Sequence, residues 1–149
     1  MIRLSQLKGQ RVLTQNGAQN VGSIRRLLLD PSTSTVVAAE LEGVIGTDTL
    51  LDWPSVASIG RDAVMVESAD SVRGPQTDAE QRLVAGELDL QGKQVLDEGG
   101  DALGPLDDME FDEETGRLAG LVVPGHALPL DRVLAVGPDA IIVPLPSSA

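Results

Sequence analysis

Apolar and polar residues alternate in short runs along this chain, and Gly, Pro, Asp, Ser and Thr punctuate them. The pattern predicts short strands joined by turns. Residues 10–15 form the first strand, and Asn16-Gly17 is a hairpin-type turn signal. Residues 21–29 give the next strand, where imperfect alternation around Arg25-Arg26 predicts a bulge. Asp30-Pro31-Ser32-Thr33-Ser34 is a turn with Pro at a favourable position. Residues 36–42 alternate cleanly, with Val37, Ala39 and Leu41 on one face and Glu40 and Glu42 on the other, as in a half-buried strand. A loop over 43–48 leads to a strand over 49–53 and a single helical turn at Pro54-Ser55-Val56. A closing strand over 63–67 follows an Arg61-Asp62 turn.

Residues 68–76 are polar, contain Gly74-Pro75 and read as a linker. Thr77-Asp78-Ala79-Glu80 has the form of a capping box, which predicts a short helix over 78–85 stopped by Gly86; the alternative is an irregular tether. Strands are then expected over 93–98, over 103–112 with a bulge near Asp107-Asp108, over 117–123, over 128–130 and over 140–144. A Gly99-Gly100 turn and a turn over 131–133 separate them. Pro144, Pro146 and the final Ser-Ser-Ala read as a frayed tail.

The second set of elements repeats the first. Leu7-Lys8-Gly9-Gln10-Arg11-Val12-Leu13 lies over Leu90-Gln91-Gly92-Lys93-Gln94-Val95-Leu96. Gly22 then falls on Gly104, Asp30 on Asp112, Thr33 on Thr115 and Gly43 on Gly125. After a five-residue shortening, Leu51 falls on Leu128, Val56 on Val133, Gly60 on Gly137 and Val66 on Val143. The gaps fall at turns, and a shared glycine marks a backbone position that needs positive φ or close approach. The stretch over 88–143 is the complete copy, and 7–66 is a degenerate one.

The order L-x-G-x-x-V, Gly, an apolar run, Asp112-Glu113-Glu114-Thr115-Gly116-Arg117-Leu118 and Leu128-Pro129-Leu130-Asp131-Arg132-Val133 resembles the PRC-barrel family. The first copy departs from it, with Pro31-Ser32-Thr33-Ser34-Thr35 in place of the Thr-Gly turn and Trp53-Pro54 in place of Leu130-Asp131. The resemblance implies an all-β fold of two small barrels in tandem: residues 1–70, a linker over 71–83 that holds the short helix, and residues 84–149. Such modules occur in the cytoplasmic part of the photosynthetic reaction-centre H subunit, in the C-terminal half of ribosome maturation factors, and in many stand-alone prokaryotic proteins.

Composition narrows the roles. Barrels of about 65 residues are near the lower size limit for independent stability, so each is expected to need the other copy or a second chain, and a homodimer is expected. Phe111 and Trp53 are the only aromatics, so Val, Leu, Ile, Ala and Met must build the core. There is no cysteine, no run of signal-peptide form and no apolar stretch of membrane-spanning length, which makes a cytoplasmic address the expectation. The net charge of −12 is lopsided. Residues 84–149 hold 3 Lys and Arg against 13 Asp and Glu, and residues 1–70 hold 6 against 8. Such a chain is a poor direct binder of nucleic-acid phosphates, and its acidity also serves solubility.

The copies disagree at matched positions: Arg25-Arg26 against Asp107-Asp108, Glu40 against Val122, and Leu28 against Glu110. These differences suggest that the barrels pack about a pseudo-two-fold axis. Leu28 and Val122 would lie near the seam, with Arg25 and Arg26 facing Asp107 and Asp108. Scattered surface apolar residues are the plain alternative.

Catalytic chemistry finds little purchase. The single histidine, His126, lies in Pro124-Gly125-His126-Ala127, read as a loop. There is no G-x-S-x-G elbow and no phosphate-cradling glycine pattern. The acidic run over 107–114 lacks calcium-loop order, and along a strand its carboxylates point to opposite faces. No catalytic residue, metal ligand or cofactor is assigned. The expectation is a non-catalytic adaptor or scaffold that docks on another protein through a sheet face or an acidic surface. A ribosome-assembly or RNA-processing accessory factor that binds a ribosomal protein is the second reading. A small-ligand binder or enzyme using a barrel mouth is the third.

Overall fold

The computed structural model describes residues 1–44 and 48–145. The loop expected over 43–48 is therefore described only in part, and the tail beyond residue 145 lies outside the described residues. The chain opens with β1 (Ile2–Arg3) and α1 (Leu4–Leu7), then β2 (Arg11–Thr14), β3 (Asn20–Asp30), β4 (Thr35–Glu42) and β5 (Leu50–Asp52). A 3-10 turn at Trp53–Ser55 leads to β6 (Val56–Ile59), β7 (Val64–Val66) and β8 (Val72–Arg73). Then come α2 (Asp78–Val84), β9 (Gln94–Asp97), β10 (Ala102–Pro105), β11 (Asp108–Phe111), β12 (Leu118–Val123), β13 (His126–Leu128), β14 (Ala135–Val136) and β15 (Ile141–Val143).

The first copy is one curled sheet of order β6-β7-β2-β3-β4-β5-β8. The second copy carries the same pairings on two sheets, β10-β9-β15-β14 and β1-β11-β12-β13. The long β3 bends at a register shift between Ile24 and Arg26, the bulge its sequence predicts. Its counterpart was expected as one bulged strand over 103–112. It is instead broken after Pro105, which stands where the first copy has Ser23 and has no N–H to continue a ladder.

The repeat is visible in single bonds. Gly9 N–H donates to Ile24 O and Gly92 N–H to Leu106 O, both at 2.7 Å. The parallel closure sets Val12 beside Val64 in one copy and Val95 beside Ile141 in the other. Gly22 and Gly104 share φ of +133° and +122°. A Cβ on Gly22 would stand 2.9 Å from Glu42 O, so the bent strand needs glycine there. Ser34 fills the place of Gly116 in the left-handed region at φ +54°. Its hydroxyl accepts from Val133 N–H at 3.0 Å, which offsets the strain of a side chain there.

The two copies meet reciprocally at the turns after β3 and β11. Val36 N–H donates to Gly116 O at 2.8 Å, and the matched Leu118 N–H donates to Ser34 O at 3.0 Å. Thr35 and Arg117 form the bridge between them. Such reciprocity is what a two-fold contact requires. Beside it, Trp53 meets Phe111 edge to face at 5.4 Å and donates its Nε1–H to Glu113 O at 3.1 Å. One apolar core runs through both copies, from Leu7, Ile24 and Leu51 to Met109, Leu121 and Ile141.

The ends are exchanged as well. β1 pairs with β11 of the other copy, Ile2 opposite Phe111. The counterpart segment over 84–87 runs past Arg26 of β3, whose guanidinium would lie 3.5 Å from a Cβ on Gly86.

Three further expectations are corrected. Val37 is an extra residue in a bulge between Leu28/Ala38 and Leu29/Val36, so Val36, not Val37, joins Ala39 and Leu41 in the core. His126 is not in a loop: Pro124-Gly125 is a two-residue turn and His126 opens β13, so that strand spans 126–128 in place of 128–130. The first residues of the linker are not a free tether either, since β8 adds to the first sheet beside β5.

An uncovered sheet face on the second copy

The helix expected in the linker forms as α2, opened by the capping box: Glu80 N–H donates to Thr77 Oγ1 at 3.1 Å, and Thr77 N–H returns to Glu80 Oε1. Seven residues are too few for a helix to persist without packing. Leu83 supplies it, buried with Leu88 over Leu28, Ala38 and Leu50 on the outer face of the first sheet. Arg73 of β8 clamps the arrangement. Its Nη2 lies 2.6 Å from Glu80 Oε2 and 2.7 Å from Asp52 Oδ1, its Nη1 lies 2.9 Å from Glu80 Oε1, and Nε donates to Asp52 Oδ2 at 3.0 Å. These bonds hold the Glu80 carboxyl down at about 2, chiefly through Arg73, and they push the Arg73 guanidinium up.

The matched face of the second copy has no counterpart of α2 or β8 among the described residues. Where the first copy shows Leu28, Ala38 and Leu50, the second shows half-buried Glu110, half-buried Gly120 and exposed Ala127. β13 ends its sheet, whereas its counterpart β5 is followed by β8.

The mismatched positions fall only in part as the expected seam has them. Leu28 packs with Leu83 of α2 and with Leu88 of the second copy, and Val136 of that copy lies against them, so Leu28 does lie where the copies meet. Arg26 crosses to Glu40 on β4 at 3.2 Å, reaches Asp89 at 3.5 Å, and donates to Leu83 O at 3.1 Å, so it caps the C-terminus of α2. Arg25 lies 3.8 Å from Glu40. Burial pushes the Glu40 carboxyl up, and the two arginines oppose that rise. In the second copy this cross-strand pair becomes Asp108 opposite Val122. Asp108 turns to the start of α1, accepting from Ser5 N–H at 3.0 Å and from the Ser5 hydroxyl. Asp107 is exposed and Val122 half-buried. Among the described residues neither arginine pairs with either aspartate. Matched positions of opposite charge thus serve opposite helix ends, a cation at the end of α2 and an anion at the start of α1.

Other groups offer little chemistry. His126 is exposed at the turn end of β13. Among the described residues no three His, Asp or Glu side chains gather at metal-binding spacing. Asp112 sits below the ordinary carboxylate range because Thr115 and Glu114 N–H groups bond it, which makes it a turn-former. Burial lowers Lys93, which donates to Glu87 O and Gly137 O. An apolar groove of about 500 Å³ runs between α2 and β3, lined by Leu28, Leu29, Val37, Leu88 and Val136. Sequence reasoning missed the clamp, although Glu80 was singled out as the box residue. Asp52 lies far along the chain, and no local pattern marks Arg73.

No helix among the described residues is long and apolar enough to cross a membrane. No curated protein matches the chain. The PRC-barrel domain model matches residues 1–73 and 88–149, one match on each copy. Most of the sequence is thus accounted for by two such domains, and the chain belongs to the PRC-barrel family.

Proposed function

We propose that this protein is a non-catalytic adaptor that docks on another protein through the outer face of its second copy, at β11, β12 and β13. One observation carries the reading: β8 and α2 flank the sheet of the first copy, and the matched place on the second copy has neither among the described residues. Half-buried Val122 and exposed Ala127 offer apolar surface there, a cue for a binding face. The acidic balance of residues 84–149, 3 basic against 13 acidic residues, favours a basic partner. A ribosomal protein is a partner of that kind, as the resemblance to ribosome maturation factors implies.

The test compares wild type with Ala127→Arg and with Glu110→Lys as baits in lysate of the source cell, after circular dichroism shows that both variants fold. A protein held by wild type and lost from both variants is the expected result. Equal recovery by all three baits would sink the reading.

A further inference from the structure

The face proposed for docking has a strand edge with no neighbour among the described residues, and the first copy shows what such an edge holds. Glu40 stands opposite Leu50 across β4 and β5, and Val122 stands opposite Ala127 across β12 and β13. Beyond β5 lies β8, with Leu50 opposite Arg73 and Leu51 opposite Val72. Beyond β13 no strand lies among the described residues.

The register decides which groups the edge presents. Val123 and His126 flank the two-residue turn Pro124-Gly125, so they exchange main-chain hydrogen bonds. The next pair, Val122 and Ala127, is then the non-bonded kind. Ala127 turns its N–H and C=O away from β12, toward the outer edge. Leu50 has the same register, and β8 pairs with it on that side.

We infer that β13 accepts an added strand: an extended, lysine- or arginine-rich segment of a partner protein, in the slot that β8 fills on the first copy. The inference rests on the adaptor reading and specifies how the partner is held. Main-chain bonds at such an edge give affinity, and flanking side chains give selectivity. An apolar helix like α2 is not the occupant. Leu28, Ala38 and Leu50, which receive Leu83, are replaced by Glu110, Gly120 and Ala127. Gly120 already has this chain's own backbone close by, since a Cβ there would stand 3.0 Å from Leu128 O, so exposed Ala127 is the small residue left beside the edge. Exposed Asp107 and half-buried Glu110 supply negative charge. Arg3 contacts Glu110 at 3.4 Å, and 37% of the Glu110 side chain remains exposed for a further cation.

The experiment titrates the full-length, ¹⁵N-labelled chain with acetyl-Val-Lys-Val-Lys-Val-Lys-amide and with its Val-Glu counterpart. Amide shifts and hydrogen exchange are followed at 126–128 and at Leu50. The lysine peptide is expected to shift Ala127 and slow its exchange, less so as salt rises. The glutamate peptide is expected to bind at least about tenfold more weakly. Ala127→Pro removes only the outward N–H and is tolerated on an edge. It should weaken the lysine peptide by about tenfold, the loss of one main-chain bond.

Exchange at Ala127 as slow as at Leu50 in the free protein would overturn the inference, because the slot would already be filled by this chain or a second copy. Equal binding of the lysine peptide to wild type and Ala127→Pro, or no shift at 126–128, would overturn it too. In both of those cases the adaptor reading survives if Ala127→Arg still loses its captured protein, and it fails if nothing is lost.

Discussion

Glu80 holds α2 down through a carboxylate that the fold keeps ionised, and Glu80→Gln tests that arrangement. Glutamine retains an oxygen for the Gln76 and Thr77 N–H groups but loses the charge facing Arg73. The carboxyl falls from an ordinary 4.5 to about 2 on folding. At about 1.4 kcal/mol per pH unit, that shift corresponds to roughly 3 kcal/mol of stability. The Glu80 side chain is 7% exposed, but Arg73 is 25% exposed and Asp52 42%, so solvent screens part of it. About 2 kcal/mol is the expected loss at neutral pH. Because the folded carboxyl is depressed, its contribution is fully present above pH 4.5 and is lost as pH falls toward about 2. The assay is urea unfolding of wild type and Glu80→Gln at pH 7 and at steps down to pH 2. The difference should stay constant to about pH 4.5 and then narrow. A difference that is absent at pH 7, or that does not change with pH, would refute the argument that an ionised Glu80 anchors the helix.

Leu83→Ala should cost about 3 kcal/mol, read as a lowered urea midpoint, because Leu83 is fully buried where α2 meets the sheet. Gly116→Ala should destabilise more than Gly9→Ala. Both have positive φ, worth about 1 kcal/mol, but a Cβ at Gly116 would stand 2.5 Å from Val36 O, whereas nothing lies near one at Gly9; thermal unfolding of the two variants decides. Trp53 is the only tryptophan and sits where the copies meet. Its fluorescence should therefore change in step with far-ultraviolet circular dichroism during urea unfolding, as one cooperative transition; two separated transitions would show that the copies unfold independently.

Much of this architecture is written in local patterns. Apolar alternation and turn residues mark the longer strands, and the paired glycines Gly9/Gly92, Gly22/Gly104 and Gly43/Gly125 all take positive φ. The capping box at Thr77 names the start of α2 to the residue. What escapes is what two or three residues cannot encode. β1, β8 and β14 are too short for any period, and their pairing is decided by distant partners. Alternation over 36–42 misled because the bulge at Val37 inserts one residue and swaps the faces after it. The mismatches between copies marked positions that do differ in environment, Leu28 against Glu110 above all. Their cause is only half legible: Leu28 meets Leu88 and Val136 of the second copy but also a helix from the linker, whose path is set by Arg73, Asp52 and Glu80 acting together. The difference between the two sheet faces becomes visible only when the two copies are compared in space.

The exchanged ends constrain how the protein can be made. β1 leaves the ribosome long before its partner β11, which ends at Phe111. Until residue 111 has emerged, the first copy therefore waits with Ile2 unpaired and Trp53 without its aromatic neighbour. It cannot finish as an independent domain ahead of the second, the usual order for chains with two domains. A nascent chain arrested before residue 111 should be bound by chaperones and cut by proteases, and resistance should appear all at once, after the second copy has emerged.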